Sequence, residues 1–183
     1  MQAKNIVILN GSPRREGNTS ALIAAFTQGA QEAGHQVKTF LLHQLHLQGC
    51  QGCFRGRSTD ACPCVIQDDM NDIYPAVREA QVVVLASPLY YWNLSGQLLT
   101  ALDRLFALEE GGQNLLRGHE RGAVLLMAAE GSEFQIPKAY FELLLKRLKW
   151  RSLGMVCAGG VMDLGDIKGR PEIDAARALG RSL

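Results

Sequence analysis

Apolar residues in this chain gather into five short runs: Asn5–Leu9 (NIVIL), Gln36–Leu42 (QVKTFLL), Val82–Ser87 (VVVLAS), Gly122–Ala129 (GAVLLMAA) and Gly154–Gly160 (GMVCAGG). Each is rich in apolar residues and bounded by Gly, Asn or Ser, and each predicts a strand. Three of the runs are almost continuously hydrophobic. That is the pattern of parallel strands covered by helices on both faces.

Between the runs the period changes to that of a helix. Asn18 is positioned to cap a helix with Leu22, Ile23, Phe26 and Ala30 on one face, and Gly34 suits its end. Asp68 is a cap candidate for a short helix with Met70, Ile73 and Val77 inward, which Pro75 should kink or shorten. Ser95 opens a third, with Leu98, Leu99, Leu102, Leu105 and Phe106 on its stripe. Pro137 suits the first turn of a fourth, marked by Tyr140, Phe141, Leu144, Leu145 and Leu148. Lys146, Arg147, Lys149 and Arg151 crowd the end of that helix, where cations favour the dipole. Pro171 opens a last helix running through Leu179.

Strands alternating with helices specify an α/β three-layer sandwich with right-handed crossovers. With 183 residues, the chain reads as a single domain over 1–183, with a cysteine-rich insert at about 43–67. Such a sheet binds ligands beyond the carboxyl ends of its strands, so the loops after the first, third and fourth strands carry the functional argument. Composition narrows the classes. A net charge of +1 without a Lys/Arg run supplies no nucleic-acid footprint, and no apolar run reaches the roughly 20 residues of a membrane span. The N-terminal segment has no signal-peptide pattern, so a cytoplasmic, reducing location is expected.

The first loop, NGSPRREGNTSAL, combines Gly11 and Gly17 with the hydroxyls of Ser12, Thr19 and Ser20 and the side chain of Arg14. Asn18, Thr19 and Ser20 also sit at a helix start, where free N–H groups attract an anion. Neither the triphosphate-binding G-x-x-x-x-G-K-[ST] pattern nor the dinucleotide G-x-G-x-x-G pattern is present. A hydroxyl-rich loop without lysine suits one terminal phosphate monoester, the phosphate of FMN.

GSPRREGNTS followed by SPLYYWNLSGQLLTALDRL resembles the flavodoxin-like NAD(P)H-dependent FMN reductases, including their iron–sulfur flavoprotein branch, over nearly the whole chain. The resemblance implies a five-stranded parallel sheet in the order 2-1-3-4-5. It also implies that Pro88, Leu89, Tyr90, Tyr91, Trp92 and Asn93 wrap the flavin ring, beside Ser12, Arg14, Asn18, Thr19 and Ser20 at the phosphate. The loop after the fourth strand, AAEGSEFQI, should flank the flavin but carries no sharp motif. A homodimer or homotetramer is expected, with the aromatic loop near a subunit contact.

Four of the five cysteines lie in CQGCFRGRSTDACPC, from Cys50 to Cys64. Iron–sulfur flavoproteins, by resemblance, carry C-x-x-C-x-x-C and a later fourth cysteine before a DDM-like helix start. Here Cys50, Cys53 and the IQDDM segment fit, but Gly56 stands at the third position, and Cys62 and Cys64 are separated only by Pro63. That spacing strains one cubane and departs from the usual zinc pairs. A cluster, zinc and free or redox-active thiols are all alternatives, and the expectation is no metal. His43 and His46 read as surface residues and Cys157 as a small apolar strand residue.

The reading is an FMN-dependent oxidoreductase that takes electrons from NADPH or NADH and passes them to a small acceptor: a quinone, nitro compound or free flavin. No side chain is assigned as acid or base, because the flavin carries the chemistry. The alternative is a flavodoxin-like electron-transfer protein, although the balanced charge lacks the acidic docking face such shuttles use. A phosphorylatable receiver is excluded, since the first strand ends in Asn10-Gly11 and not in an acidic cluster.

Overall fold

Residues alternate sides along a strand, so an apolar run needs two hydrophobic layers, and both are present. The computed structural model describes residues 2–55, 63–110, 114–118 and 120–183. Strands β1 (Asn5–Asn10), β2 (Gln36–Leu41), β3 (Val82–Pro88), β4 (Gly122–Ala128) and β5 (Arg151–Ala158) form one parallel sheet, ordered β2-β1-β3-β4-β5. Val7, Leu9, Val83, Leu85 and Leu125 face α2 (Met70–Glu79), α3 (Gly96–Arg104) and α4 (Gln135–Leu148) through Ile73, Leu98 and Phe141. Ile6, Ile8, Val84 and Leu126 face α1 (Asn18–Glu32) and α5 (Pro171–Arg181) through Leu22, Phe26 and Ala176. No helix among the described residues is long and apolar enough to cross a membrane.

Helices α1 and α5 touch at backbone distance. A Cβ on Gly29 would lie 1.9 Å from the Arg177 carbonyl oxygen, and one on Gly180 would lie 2.1 Å from that of Phe26. The two glycines are therefore a packing requirement of this layer.

Several boundaries differ from the sequence expectation. Strand β5 begins at Arg151, because the exposed Arg151 and Ser152 already pair with Gly122 and Ala123 at this sheet edge, where no apolar pattern is needed. Gly154, at φ +144°, follows the register shift beside Val124. Gly17, not Asn18, is the N-cap of α1. Helix α2 runs through Pro75 unbroken, since Pro75 is on its exposed face, where water can satisfy the carbonyl it leaves free. Helix α5 continues to Arg181.

Asp68 is not the cap of α2 but part of a buried ion pair. Its carboxylate meets Arg104 at 2.6 and 3.0 Å, with both side chains fully buried. Arg104 also donates to the carbonyls of Gln48 and Ile66, on the two sides of the cysteine segment. Asp68 accepts from the N–H groups of Gln48 and Met70, and Asp69 accepts from that of His46. One guanidinium and two carboxylates thus tie the neck of the long insert to α3. Gly56 and Cys62, on which the cysteine argument turned, lie outside the described residues.

Burial pushes the Asp68 carboxyl up, but Arg104 and the Gln48 and Met70 N–H groups outweigh it and hold the group below its ordinary value of 3.8. A carboxyl lowered in the folded state stabilises the fold above that ordinary value, and the contribution is lost as pH falls through the lowered one. Asp68→Asn should cost about 3–5 kcal/mol at neutral pH, because it leaves a buried guanidinium uncompensated. Denaturant melts should show the gap between variant and wild type narrowing below pH 3.8.

Candidate functional site

The β1–β3 pairing brings two loops from distant parts of the chain to one point. Register runs from Ile6 opposite Val82 to Asn10 opposite Ala86, and the Gly11 N–H then donates to the Ala86 carbonyl at 2.8 Å. A Cβ at Gly11 would sit 2.3 Å from Ser95 Oγ and 2.8 Å from Leu98 Cβ, so only glycine lets the first loop pass the start of α3. Beyond it the Asn10 side-chain oxygen accepts from the Ser12 N–H at 2.9 Å. Ser20 Oγ donates to the Arg14 carbonyl at 2.8 Å, which folds the loop back onto α1. The first N–H groups of α1, on Asn18, Thr19 and Ser20, have no carbonyl ahead of them in the helix.

Asn18 and Thr19 border a cleft of about 240 Å³. Ser12, Arg14, Asn18 and Thr19 line it together with Pro88, Leu89 and Tyr90, so seven of the eleven residues named from the sequence meet there. Ser12, Asn18 and Thr19 are buried. Asn18 has a bracing role: it donates to the Asp163 carbonyl at 2.9 Å and accepts from the Ile167 N–H at 3.4 Å. Arg14 donates to the Met162 carbonyl at 3.2 Å. Both residues fasten the first loop to the segment after β5.

The remainder of the lining is Gly17 and Ala128–Glu130, from two loops the sequence places at the ligand, and Val161 and Met162, which sequence reasoning missed. Ala128–Glu130 lie in the loop that has position but no motif. Val161 and Met162 come into place because the Gly160 N–H donates to Glu130 and the Val161 N–H to Ala129. The Gly159-Gly160 pair was the available signal. Gly160 has φ +69°, and a Cβ on Gly159 would meet the Gly131 carbonyl oxygen at 3.0 Å.

Ser20, Tyr91, Trp92 and Asn93 do not border the cleft. The Ser87 hydroxyl accepts from the Ser95 N–H and donates to the Pro88 carbonyl, closing the base of the second loop, and Ser95 Oγ caps α3 by accepting from Leu98. At the tip, Tyr90 and Asn93 exchange two main-chain hydrogen bonds of 3.0 Å. The residues between them, Tyr91 and Trp92, have φ of +45° and +59°. Left-handed backbone at bulky residues costs of order 1–3 kcal/mol each.

A second cavity, of about 90 Å³, is bordered by Cys50, Cys53, Cys64, Phe54, Phe106 and Arg104. The Gly52 N–H donates to Cys50 Sγ at 3.5 Å. The Arg104 Nε is buried with no hydrogen-bond partner among the described residues. Among those residues, no three His, Cys, Asp or Glu side chains are placed to hold a metal ion. His43 and His46 are exposed, and Cys157 is half-buried, with burial pushing its thiol up against the opposing effect of Lys138.

Sheet order and the cleft at the β1–β3 switch point define a flavodoxin-like α/β protein. Residues 4–160 match the NADPH-dependent FMN reductase family, and the chain belongs to it. It is an FMN-dependent oxidoreductase with a nicotinamide electron donor. An iron–sulfur flavoprotein of Archaeoglobus fulgidus is 31% identical over 176 residues, 94% of this chain and 76% of that protein. One of Methanocaldococcus jannaschii is 33% identical over 124 residues, 68% of this chain but only 62% of that protein. Among solved structures, an NAD(P)H:quinone oxidoreductase from Methanothermobacter marburgensis superposes with a TM-score of 0.72 at 20% identity, over 99% of this chain and 97% of that one.

Gly11→Ala should force the first loop away from α3. Stability should fall by about 1–3 kcal/mol, the range for overpacking a filled site. Urea melts measure the loss, and gel filtration should show weaker flavin retention by the same variant.

Proposed function

We propose that the cleft holds FMN with its phosphate at the start of α1 and its ring against Pro88, Leu89 and Tyr90. One observation carries the reading: the helix-start residues Asn18 and Thr19 and the buried Ser12 line the same cleft as Pro88, Leu89 and Tyr90. Helix-start N–H groups beside neutral hydroxyls match a single phosphate monoester. Ala128–Glu130 and Val161 complete the wall. Arg14 and Asn18 act by holding the first loop to the Met162–Ile167 segment, which keeps those donors aligned.

Bound FMN supplies the redox chemistry, accepting a hydride from NADH or NADPH and passing two electrons to a small acceptor. A quinone, a nitro compound or free flavin is the acceptor class, and a quinone takes up two protons with the two electrons to leave as the hydroquinone. The protein orients the ring and limits water at its buried side. A homodimer or homotetramer in the cytoplasm is the expected setting.

A second reading adds an iron–sulfur cluster, the group named in the titles of the archaeal relatives. What favours it is the meeting of Cys50, Cys53 and Cys64 on one cavity beside the orphaned Arg104 Nε, since soft thiols and a buried cation suit an anionic thiolate cluster. The first reading leaves these cysteines without metal, because the compact spacing is broken at Gly56.

Thr19→Val should weaken FMN about tenfold to a hundredfold, as for one hydrogen bond to a charged oxygen worth about 1.5–3 kcal/mol. Riboflavin, which has no phosphate, should bind the variant and the wild type alike. An equal loss for both ligands, or FAD as the flavin released by acid, refutes the assignment.

Anaerobic purification with iron and sulfide analysis separates the two readings. Flavin without stoichiometric iron, unchanged in Cys50→Ser, supports the first. About four irons per chain, lost in Cys50→Ser, supports the second.

A further inference from the structure

The segment after β5 is gripped from two sides at the same two residues. Asp166 Oδ2 accepts from the Met162 N–H at 2.9 Å and from the Asp163 N–H at 2.8 Å. The carbonyls of those two residues face the first loop: Met162 accepts from Arg14 at 3.2 Å and Asp163 from the Asn18 amide at 2.9 Å. Asn18 also accepts from the Ile167 N–H at 3.4 Å, so its side chain spans the turn that Asp166 closes. Hydrogen bonds thus run without a break from one carboxylate, through the peptides of Met162 and Asp163, to the start of α1.

The ends of this turn are anchored independently. The Gly160 and Val161 N–H groups donate to the loop after β4, and Arg170 donates to the Gly160 carbonyl at 3.4 Å. Val161 and Ile167 are buried in the layer of α1 and α5. Between those anchors Met162, Asp163 and Leu164 are exposed and Gly165 has φ +91°, so core packing does not set the direction of their peptides. Asp166 does. It is exposed, does not border the cleft and belongs to neither core cluster, so its two hydrogen bonds organise a turn and not the fold.

We propose that Asp166 is a positioning residue for the flavin phosphate. It aims the Met162 and Asp163 carbonyls at Arg14 and Asn18, and those side chains hold the first turn of α1 in the orientation that receives the phosphate. The proposal rests on FMN occupying the cleft with its phosphate at that turn. Asn18 serves twice, with its side chain in the clasp and its main chain at the helix start, so a rotation of the clasp is a rotation of the donors. Hydrogen bonds weaken steeply as their angle closes, and donors turned away from the phosphate lose it. Selection of FMN over riboflavin, its unphosphorylated form, therefore depends on a carboxylate that does not touch the flavin.

Asp166→Ala and Asp166→Asn, titrated with FMN and with riboflavin by flavin fluorescence, test this. Alanine removes the accepting oxygen, whereas asparagine keeps one side-chain oxygen that can take both N–H groups. Asp166→Ala should weaken FMN about tenfold, the share of one hydrogen bond, and leave riboflavin unchanged. Asp166→Asn should restore FMN binding. Unchanged FMN affinity in Asp166→Ala overturns the proposal, and so does an equal loss for riboflavin, which a general loosening of the fold would produce. Asp166→Asn as weak as Asp166→Ala also overturns it, since charge and not hydrogen bonding would then be at work. Hydrogen exchange on wild-type protein gives a measurement that no variant's folding affects. Coupling is reciprocal, so saturating FMN should slow exchange of the Met162 and Asp163 amides more than saturating riboflavin does. Equal protection by the two ligands overturns the proposal. Failure of the FMN reading itself is distinct, because wild-type protein would then bind FMN no more tightly than riboflavin.

Discussion

The site depends on the pairing of β1 with β3 and on its continuation by one hydrogen bond, from the Gly11 N–H to the Ala86 carbonyl. Both strands point their carboxyl ends the same way, so a loop that begins at residue 11 and one that begins at residue 89 leave the sheet side by side. One glycine-dependent contact makes the approach possible, Gly11 under Ser95, and another, Gly159 against Gly131, seats the segment after β5 on the loop after β4. From this junction the first loop can offer N–H donors and the second a hydrophobic wall to one ligand. Replacing Gly11 alters the distance between those two halves before it alters any group that touches ligand.

A second constraint acts behind the site. Arg104 ends α3, the helix whose start caps the aromatic loop, and its guanidinium closes the neck of the cysteine insert through Asp68, Gln48 and Ile66. Tyr74 donates to the Arg104 carbonyl from α2, and burial drives the Tyr74 hydroxyl well above its ordinary range. The insert is therefore not an appendage. A buried charge pair repays its desolvation only with full hydrogen bonding, and here four acceptors surround one guanidinium while Nε alone is left over. Movement of the insert would unpair that charge, which links the cysteine segment mechanically to the helix beneath the flavin loop.

Much of the fold was legible in the sequence because its signals are local. A β-branched apolar run buried on both faces, a serine ahead of an apolar stripe and a proline in a first helical turn each act within a few residues, and β1, β3, β4, α3 and α5 start where those signals stand. The errors have physical causes. Strand β5 was begun too late because an edge strand needs no apolar pattern where it is exposed. Asn18 and Asp68 were read as caps because their residue type suits that role, whereas partners nearly 150 and 36 residues away claim their side chains.

What the sequence by itself determined was the alternation of elements, the loop chemistry suited to a phosphate, and membership of a flavin-dependent class. These follow from residue types at short spacing. Tertiary structure alone decided which aromatics face the cleft. Tyr90, Tyr91 and Trp92 are consecutive and chemically alike, yet the turn closed between Tyr90 and Asn93 leaves Tyr90 on the lining and turns its neighbours outward. It likewise decided that Val161 and Met162 join the cleft, and that three cysteines share a cavity with a buried arginine. Those outcomes depend on backbone handedness at two residues and on contacts between segments far apart in the chain, and neither is encoded in the identity of any one residue or its near neighbours.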